Sequence, residues 1–221
     1  DNLNYVQLKK LYEMKKKFFI EIINDDLILT SFKGKILKIK NLDFKNKPDE
    51  IKSNLNEFDI YDIKDIEIIN NKFFISASVK YNKDNNCSYL EILEGEFKEK
   101  EIYFRNFFKS NKCLEKVQGG RIKEFNFNGQ NGFLLTTAAV LEESNLAQDD
   151  NSFFGKIIFF DLNGEYKMFS KGHRNPSGLF INEDNVILAT EHGPYGGDEI
   201  NKIKFRKNYK WPIASYGENY G

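Results

Sequence analysis

The feature that most constrains the fold of this chain is an internal repeat of strand–turn–strand units. The segment FIEIINDDLILTSFKGKILKIK, from Phe19, resembles DIEIINNKFFISASVK, from Asp65. Their shared cores begin at Ile22 and Ile68, 46 residues apart. Apolar runs of β-branched and aromatic residues that are bounded by Asn, Asp and Gly are typical of strands joined by hairpin turns. Each unit therefore predicts at least two paired strands.

The same form occurs four times along the chain. Further copies begin at Arg121 and at Gly178, and a short apolar strand follows each of the four copies. A period of about 40–50 residues with about four short strands per unit is typical of β-propeller blades. A β-sandwich also contains many short strands, but the repeated order of motif and strand favours the propeller. We therefore predict an all-β chain with about four blades of four strands.

The repeat also bears on domain organisation. We expect residues 1–221 to form one β-propeller domain without a second fold. Four units do not close a ring comfortably, and repeat arrays need neighbours or caps to bury their end faces. The final segment SYGENYG resembles the middle of a loop more than a chain terminus. We expect either a longer propeller truncated at the C-terminus or a chain that closes by pairing with another molecule.

Composition excludes several classes of function. The 33 basic and 33 acidic residues balance, so no strong overall field favours binding to nucleic acid. No apolar run approaches the roughly 20 residues that span a bilayer, so we expect no membrane span. Two cysteines, Cys87 and Cys113, are too few for a disulfide framework. They are either two separate thiols or one disulfide of an exported protein.

Scarce residue types gather between Lys171 and Asn201. This segment holds both histidines of the chain, one of its four arginines and two of its four prolines. Arg174 offers a planar donor fork for a carboxylate, and Asn175 offers a neutral donor and acceptor. A Gly193-Pro194 turn can direct successive carbonyl oxygens at a hard cation such as Ca²⁺. The segment is therefore a candidate site for an anionic ligand beside a metal.

Structural roles for the same residues remain open at the sequence level. Arg174 can instead pair with a carboxylate between blades, and His173 and His192 can be hydrogen-bonded loop histidines. Asp198, together with the glutamate that follows it, can form an ordinary solvated pair. Trp211 fits a packing role better than a ligand platform.

Three ordered motifs resemble the glucose/sorbosone dehydrogenase family, the soluble quinoprotein aldose sugar dehydrogenases. GHRNPSG spans residues 172–178, ATEHGPYGGDE spans 189–199, and NYKWP followed by SYGENY spans 208–220. Weaker matches are GGRI at 119–122 and AQDDNSFFGKI at 147–157. The resemblance covers nearly half of the chain, from residue 119 to residue 221.

The resemblance implies a six-bladed propeller that binds pyrroloquinoline quinone (PQQ) and Ca²⁺. It implies that Arg174 and Asn175 contact the quinone and that the main-chain oxygens of Gly193 and Pro194 ligate calcium. It also implies a sugar substrate and a periplasmic or secreted location.

Two residues depart from the pattern of the family. Val117 stands where the family has its general-base histidine, and Ala139 stands where the aspartate that orients this histidine is expected. An isopropyl group cannot accept a proton. The sequence therefore leaves two functions open: a PQQ-dependent sugar dehydrogenase with an altered base, or a non-catalytic propeller that binds a sugar, a quinone or a protein.

Overall fold

The computed structural model describes residues 18–43, 45–80, 87–98 and 100–218. Within them the chain folds almost entirely into strands, which confirms the all-β prediction. The first two groups of strands are β1(Phe18–Ile23), β2(Asp26–Ser31), β3(Ile36–Ile39) and β4(Asp49–Ser53), then β5(Ile60–Ile69), β6(Lys72–Lys80), β7(Ser88–Lys98) and β8(Glu101–Lys109). The next two are β9(Gly119–Phe127), β10(Gln130–Thr137), β11(Lys156–Asp161) and β12(Tyr166–Lys171), then β13(Pro176–Ile181), β14(Ile187–Glu191) and β15(Glu199–Ile203).

These four groups are blades in which consecutive strands pair antiparallel. A short parallel contact between β4 and β8 joins the first two blades into one eight-stranded sheet. The described helices are single 3₁₀ segments at Lys40–Leu42, Leu55–Glu57 and Leu141–Ala147. The first strands of successive blades lie side by side, β1 by β5, β5 by β9 and β9 by β13. The predicted propeller architecture is confirmed.

Asparagine residues close the hairpins between the first and second strands of the blades. Asn24, Asn70, Asn71, Asn128 and Asn185 all have positive φ, between 51° and 63°. Asparagine tolerates this left-handed conformation better than most residues because its short polar side chain bonds locally. The recurrent Asn at the turn of each repeat therefore has a direct conformational reason.

The central strands of the second and third blades are buried on both faces because each of these blades packs between two others. On β11, Ile157 and Phe159 pack toward the fourth blade, whereas Ile158 and Phe160 pack toward the second. Alternate side chains of a strand point to opposite faces of its sheet. One apolar run thus fills two interblade cores, which explains why these strands lack the polar alternation of a half-exposed sheet.

A disulfide between Cys87 and Cys113 fixes the segment that follows β8. The adjacent residues Ser88 and Leu114 exchange two main-chain hydrogen bonds, of 2.8 and 2.9 Å. The alternative of two separate thiols is therefore wrong. The bridge fixes the position of the chain just before Val117 and Gln118, which line a surface cleft. In the described residues, no helix is long and apolar enough to cross a membrane.

We expect Cys87→Ser/Cys113→Ser to lower the free energy of unfolding by about 2–4 kcal/mol, because the bridge closes a long loop in the unfolded chain. Urea denaturation followed by tryptophan fluorescence measures this change. A reducing agent should bring the wild-type protein to the same midpoint and leave the double variant unchanged. Equal midpoints for reduced and oxidised wild type would contradict the prediction.

Candidate functional site

The GHRNP element forms the connection from β12 to β13 and is tied down by main-chain hydrogen bonds. Gly172 N–H donates to Ala147 O, and His173 N–H donates to Gly155 O, each at 3.1 Å. Gly172 has a φ of +77°, and a Cβ there would lie 2.2 Å from Oδ1 of Asn208. Only glycine fits this position, so the backbone that leads into Arg174 is fixed by packing rather than free.

Glu191, at the end of β14, is the central acceptor beneath this loop. Its side chain is 6% exposed. Its Oε1 lies 2.5 Å from Nδ1 of His173 and accepts a bond from Nδ2 of Asn201, while Oε2 accepts the main-chain N–H of Arg174 at 3.0 Å. Buried carboxylates require such partners. One side chain thus joins β14, β15 and the GHRNP loop.

His173 is fully buried and is a structural histidine. Its Nε2 lies 2.8 Å from Oγ of Ser170, and its ring stacks on Tyr209 with 4.6 Å between centroids. Burial of the phenol raises the pKa of Tyr209. The Ser170–His173–Glu191 series resembles a hydrolase triad in its pairing, but Ser170 is 2% exposed. A substrate cannot reach this hydroxyl, so the series supports the loop and performs no nucleophilic chemistry.

The loop after β14 is organised by Asp198. Its Oδ1 lies 2.9 Å from Nδ1 of His192 and accepts the N–H of Gly193 at 2.9 Å. These two bonds, that with His192 first, lower the pKa of Asp198. Asp198 is therefore a hydrogen-bonded residue of the loop and not an ordinary solvated carboxylate, the alternative considered from the sequence. Pro194 O accepts the N–H of Gly197 at 2.8 Å, which closes a tight turn.

The structure places the predicted cofactor residues beside the predicted metal residues. Arg174 Nη1 donates to His192 O at 2.6 Å, immediately before Gly193. Its guanidinium also lies 5.3 Å from the ring of Trp211. Asn175 O accepts the N–H of His192 at 3.0 Å. The two motifs, which are separated along the chain, therefore form one cluster at the ends of β13 and β14.

Asn175 also faces the axis of the propeller. It is 9% exposed, and its Nδ2 donates to Oε1 of Gln118 at 2.8 Å. Both residues line a cleft of about 570 Å³ between the first strands of the blades, together with Asp62, Lys64 and residues of β1 and β9. We call this the central cleft. Its volume falls within the range of small-molecule sites, about 300–1,000 Å³.

The residues present fit an anionic cofactor and a hard cation. A guanidinium held in place by a carbonyl and an indole ring suits a carboxylate, and main-chain oxygens of Gly193 and Pro194 are ligands that Ca²⁺ accepts. Among the described residues there is no group of three His, Cys, Asp or Glu side chains arranged to hold a metal. A cation at this site would therefore be held by main-chain oxygens of the protein and by the anionic cofactor.

Val117 and Ala139 lie in the same apolar cluster between the second and third blades. They are 3% and 0% exposed. Trp211 packs against this cluster and donates its indole N–H to Ala139 O at 2.7 Å, while Ala139 N–H donates to Arg174 O at 2.8 Å. The packing role expected for Trp211 is seen, and the two substituted positions are filled by apolar contacts.

Comparisons with known proteins identify the family. The sequence model for glucose/sorbosone dehydrogenase matches residues 69–221. The chain belongs to the glucose/sorbosone dehydrogenase family. Aldose sugar dehydrogenase YliI of Escherichia coli strain K12 is 35% identical over 117 residues, which are 46% of this chain and 30% of that protein. Quinoprotein glucose dehydrogenase B of Acinetobacter calcoaceticus is 32% identical over 87 residues, 34% of this chain and 18% of that protein.

Solved structures of sugar dehydrogenases share the fold. The PQQ-bound aldose sugar dehydrogenase of Streptomyces coelicolor matches with a TM-score of 0.74 and 19% identity, over 94% of this chain and 66% of that one. The apo form of the E. coli soluble aldose sugar dehydrogenase matches with a TM-score of 0.72 and 23% identity, over 92% and 64%. The chain thus spans just under two thirds of these structures and about a third or less of the curated relatives.

Sequence reasoning about this family member missed Glu191 and Gln118. Strand alternation carried a signal for Glu191, because Ile187 and Ala189 on the same face of β14 are buried. Gln118 carried no such signal, since its partner Asn175 lies in another blade, 57 positions along the chain.

We expect Glu191→Ala to lower the free energy of unfolding by roughly 3 kcal/mol, because three donors lose their acceptor and a buried donor such as the ring of His173 costs about 1–3 kcal/mol when left unpaired. Glu191→Gln keeps one acceptor oxygen and should cost less. Thermal denaturation by circular dichroism measures both. Glu183→Ala, at an exposed turn of the same hairpin, is the matched control and should stay within about 0.5 kcal/mol of wild type. Equal effects at the two positions would refute the role of Glu191.

Proposed function

We propose that this protein is a quinoprotein sugar dehydrogenase that oxidises an aldose with PQQ and Ca²⁺. The observation that carries the proposal is the cluster in which Arg174 and Asn175 bond to His192, next to Gly193 and Pro194. Two relatives support it by name, one as a quinoprotein glucose dehydrogenase and one as a PQQ-bound enzyme.

Each residue of the cluster has a stated role in this proposal. Arg174 binds a carboxylate of the cofactor, and Trp211 and His192 O hold the guanidinium in place. Asn175, fixed by Gln118, presents its amide at the edge of the central cleft. Main-chain oxygens of Gly193 and Pro194 hold the cation. When bound, PQQ supplies a two-electron acceptor and Ca²⁺ supplies a Lewis acid.

The proton of the sugar hydroxyl has no acceptor at the usual position. Val117 carries no basic atom, and the buried ring of His173 is already paired on both nitrogens. His192 is an exposed imidazole whose Nδ1 is oriented by Asp198. Loss of a positioned base typically costs roughly 10²–10⁴-fold in rate, so we expect slow turnover.

A second candidate function follows from the same two positions. Val117 and Ala139 are both packed in an apolar cluster, which favours a propeller that retained the ligand loops and lost catalysis. Such a protein would bind a sugar or the quinone without oxidising the sugar. Both candidates place the protein in the periplasm or outside the cell. The disulfide between Cys87 and Cys113 supports an oxidising compartment.

Arg174→Ala should weaken PQQ binding by roughly 10–100-fold, since a charge-assisted hydrogen bond contributes about 1.5–3 kcal/mol. Absorbance titration of PQQ with excess Ca²⁺ measures the affinity, and a chelator arm tests the need for the cation. Arg206→Ala, at an exposed position of the same blade, is the control. If wild type and Arg174→Ala bind PQQ equally, the proposed cofactor site is wrong.

Val117→His/Ala139→Asp should raise dye-linked aldose oxidation by roughly 10²-fold or more, because it restores an oriented base. Val117→His alone should gain less, since its ring lacks the carboxylate. Initial rates on PQQ-loaded protein test this, with thermal denaturation to confirm folding. Measurable wild-type turnover as fast as that of the double variant would show that Val117 does not limit the reaction and would dismiss the non-catalytic alternative, whereas no turnover in either protein would contradict the predicted gain.

A further inference from the structure

A second cleft lies beside Val117 and adjoins the central cleft. It has a volume of about 350 Å³, and its lining includes Tyr61, Lys64, Lys80, Lys116 and Gln118. We call it the lysine cleft. It shares Lys64 and Gln118 with the central cleft. A ligand in the lysine cleft would therefore lie next to the residue that fixes Asn175.

The charge of the lysine cleft contrasts with that of the whole chain. Three lysines and one glutamate, Glu115, line it, whereas basic and acidic residues balance over the full sequence. Lys64 pairs with Asp62 at 2.9 Å. Lys80 and Lys116 form no ion pair with another residue of the described ranges. The lysines outnumber the one glutamate among the lining residues, which suits an anionic ligand.

An aromatic ring with two ammonium groups stands at the edge of this cleft. Lys80 Nζ lies 5.2 Å from the centroid of Tyr61, and Lys33 Nζ lies 5.3 Å from it. Lys33 also donates a hydrogen bond to Tyr61 O. Tyr61 as a whole is 56% exposed despite these contacts. A ring face together with adjacent cations offers apolar contact for a sugar and charge for an acidic substituent.

We propose that the lysine cleft recognises the anionic group of an acidic sugar, a carboxylate or a phosphate, so that the substrate class is charged rather than neutral. This inference rests on the proposed function and makes it more specific. Val117, at the position of the family's base, forms part of the cleft wall. A sugar whose acidic group meets Lys80 and Lys116 would place its body between Tyr61 and Gln118, toward the central cleft. The volume is within the range of small-molecule sites.

Isothermal titration calorimetry on the full chain, without PQQ, tests this proposal. The ligands are glucuronate, glucose 6-phosphate and glucose, each at low and high salt. We expect at least one acidic sugar to bind ten times or more tighter than glucose, with an advantage that falls as salt rises. The comparison of the two acidic sugars identifies the preferred group. Equal affinity for all three sugars would overturn the proposal.

Two variants and two small anions make the test specific. Lys80→Gln/Lys116→Gln should weaken acidic-sugar binding about tenfold and leave glucose binding unchanged, whereas Lys98→Gln, an exposed lysine on the far end of β7, should change neither. Acetate or inorganic phosphate that binds as tightly as its sugar counterpart would also overturn the proposal, because the cleft would then be an anion site without sugar recognition. Since PQQ is left out, failure of cofactor loading cannot be confused with failure here.

Discussion

The packing of the second and third blades against neighbouring blades on both faces is the constraint on which this structure depends. Along β6 and β10, adjacent residues enter different interblade cores: Phe73 and Phe74 diverge, as do Leu134 and Leu135. A shift of one residue in register would exchange these sets and mismatch two cores at once. The ends of the strands are consequently held in fixed positions, which is what a site built from several loops requires.

Buried hydrogen bonds connect the residues of the candidate site to the strands that carry them. Glu191 occupies a core-facing position on β14, yet it accepts bonds from the loop before β13 and from β15. A carboxylate in that place is stable only while the loop supplies donors. Loop conformation and sheet geometry therefore stabilise each other, and Glu191 holds the main chain from which the Arg174 side chain reaches His192 O.

The local parts of this design could be predicted from the sequence. The repeat of apolar runs and Asn turns predicted the blades, because strand alternation and left-handed asparagines are local properties. The fourth strand of the first blade, in contrast, carries almost no local strand signal. It is a strand at Asp49–Ser53 with one buried side chain, Ile51, and its pairing with β3 and β8 makes it a strand. The hydrogen bond from Asn175 to Gln118 also joins residues far apart in the sequence, so no local pattern predicts it.

The two residues that we propose stand in place of the family's base and its partner share one structural role. Val117 and Ala139 join an apolar cluster that includes Phe154 and Leu114, so their side chains contribute to the interblade core. The Arg174–His192 contact depends on hydrogen bonds to other groups. The apolar cluster and the loop meet at Ala139, whose N–H donates to Arg174 O and whose O accepts the indole N–H of Trp211. A change at Ala139 would therefore act on the main chain of Arg174 as well as on the cluster, so ligand binding and turnover must be measured separately in any variant of this position.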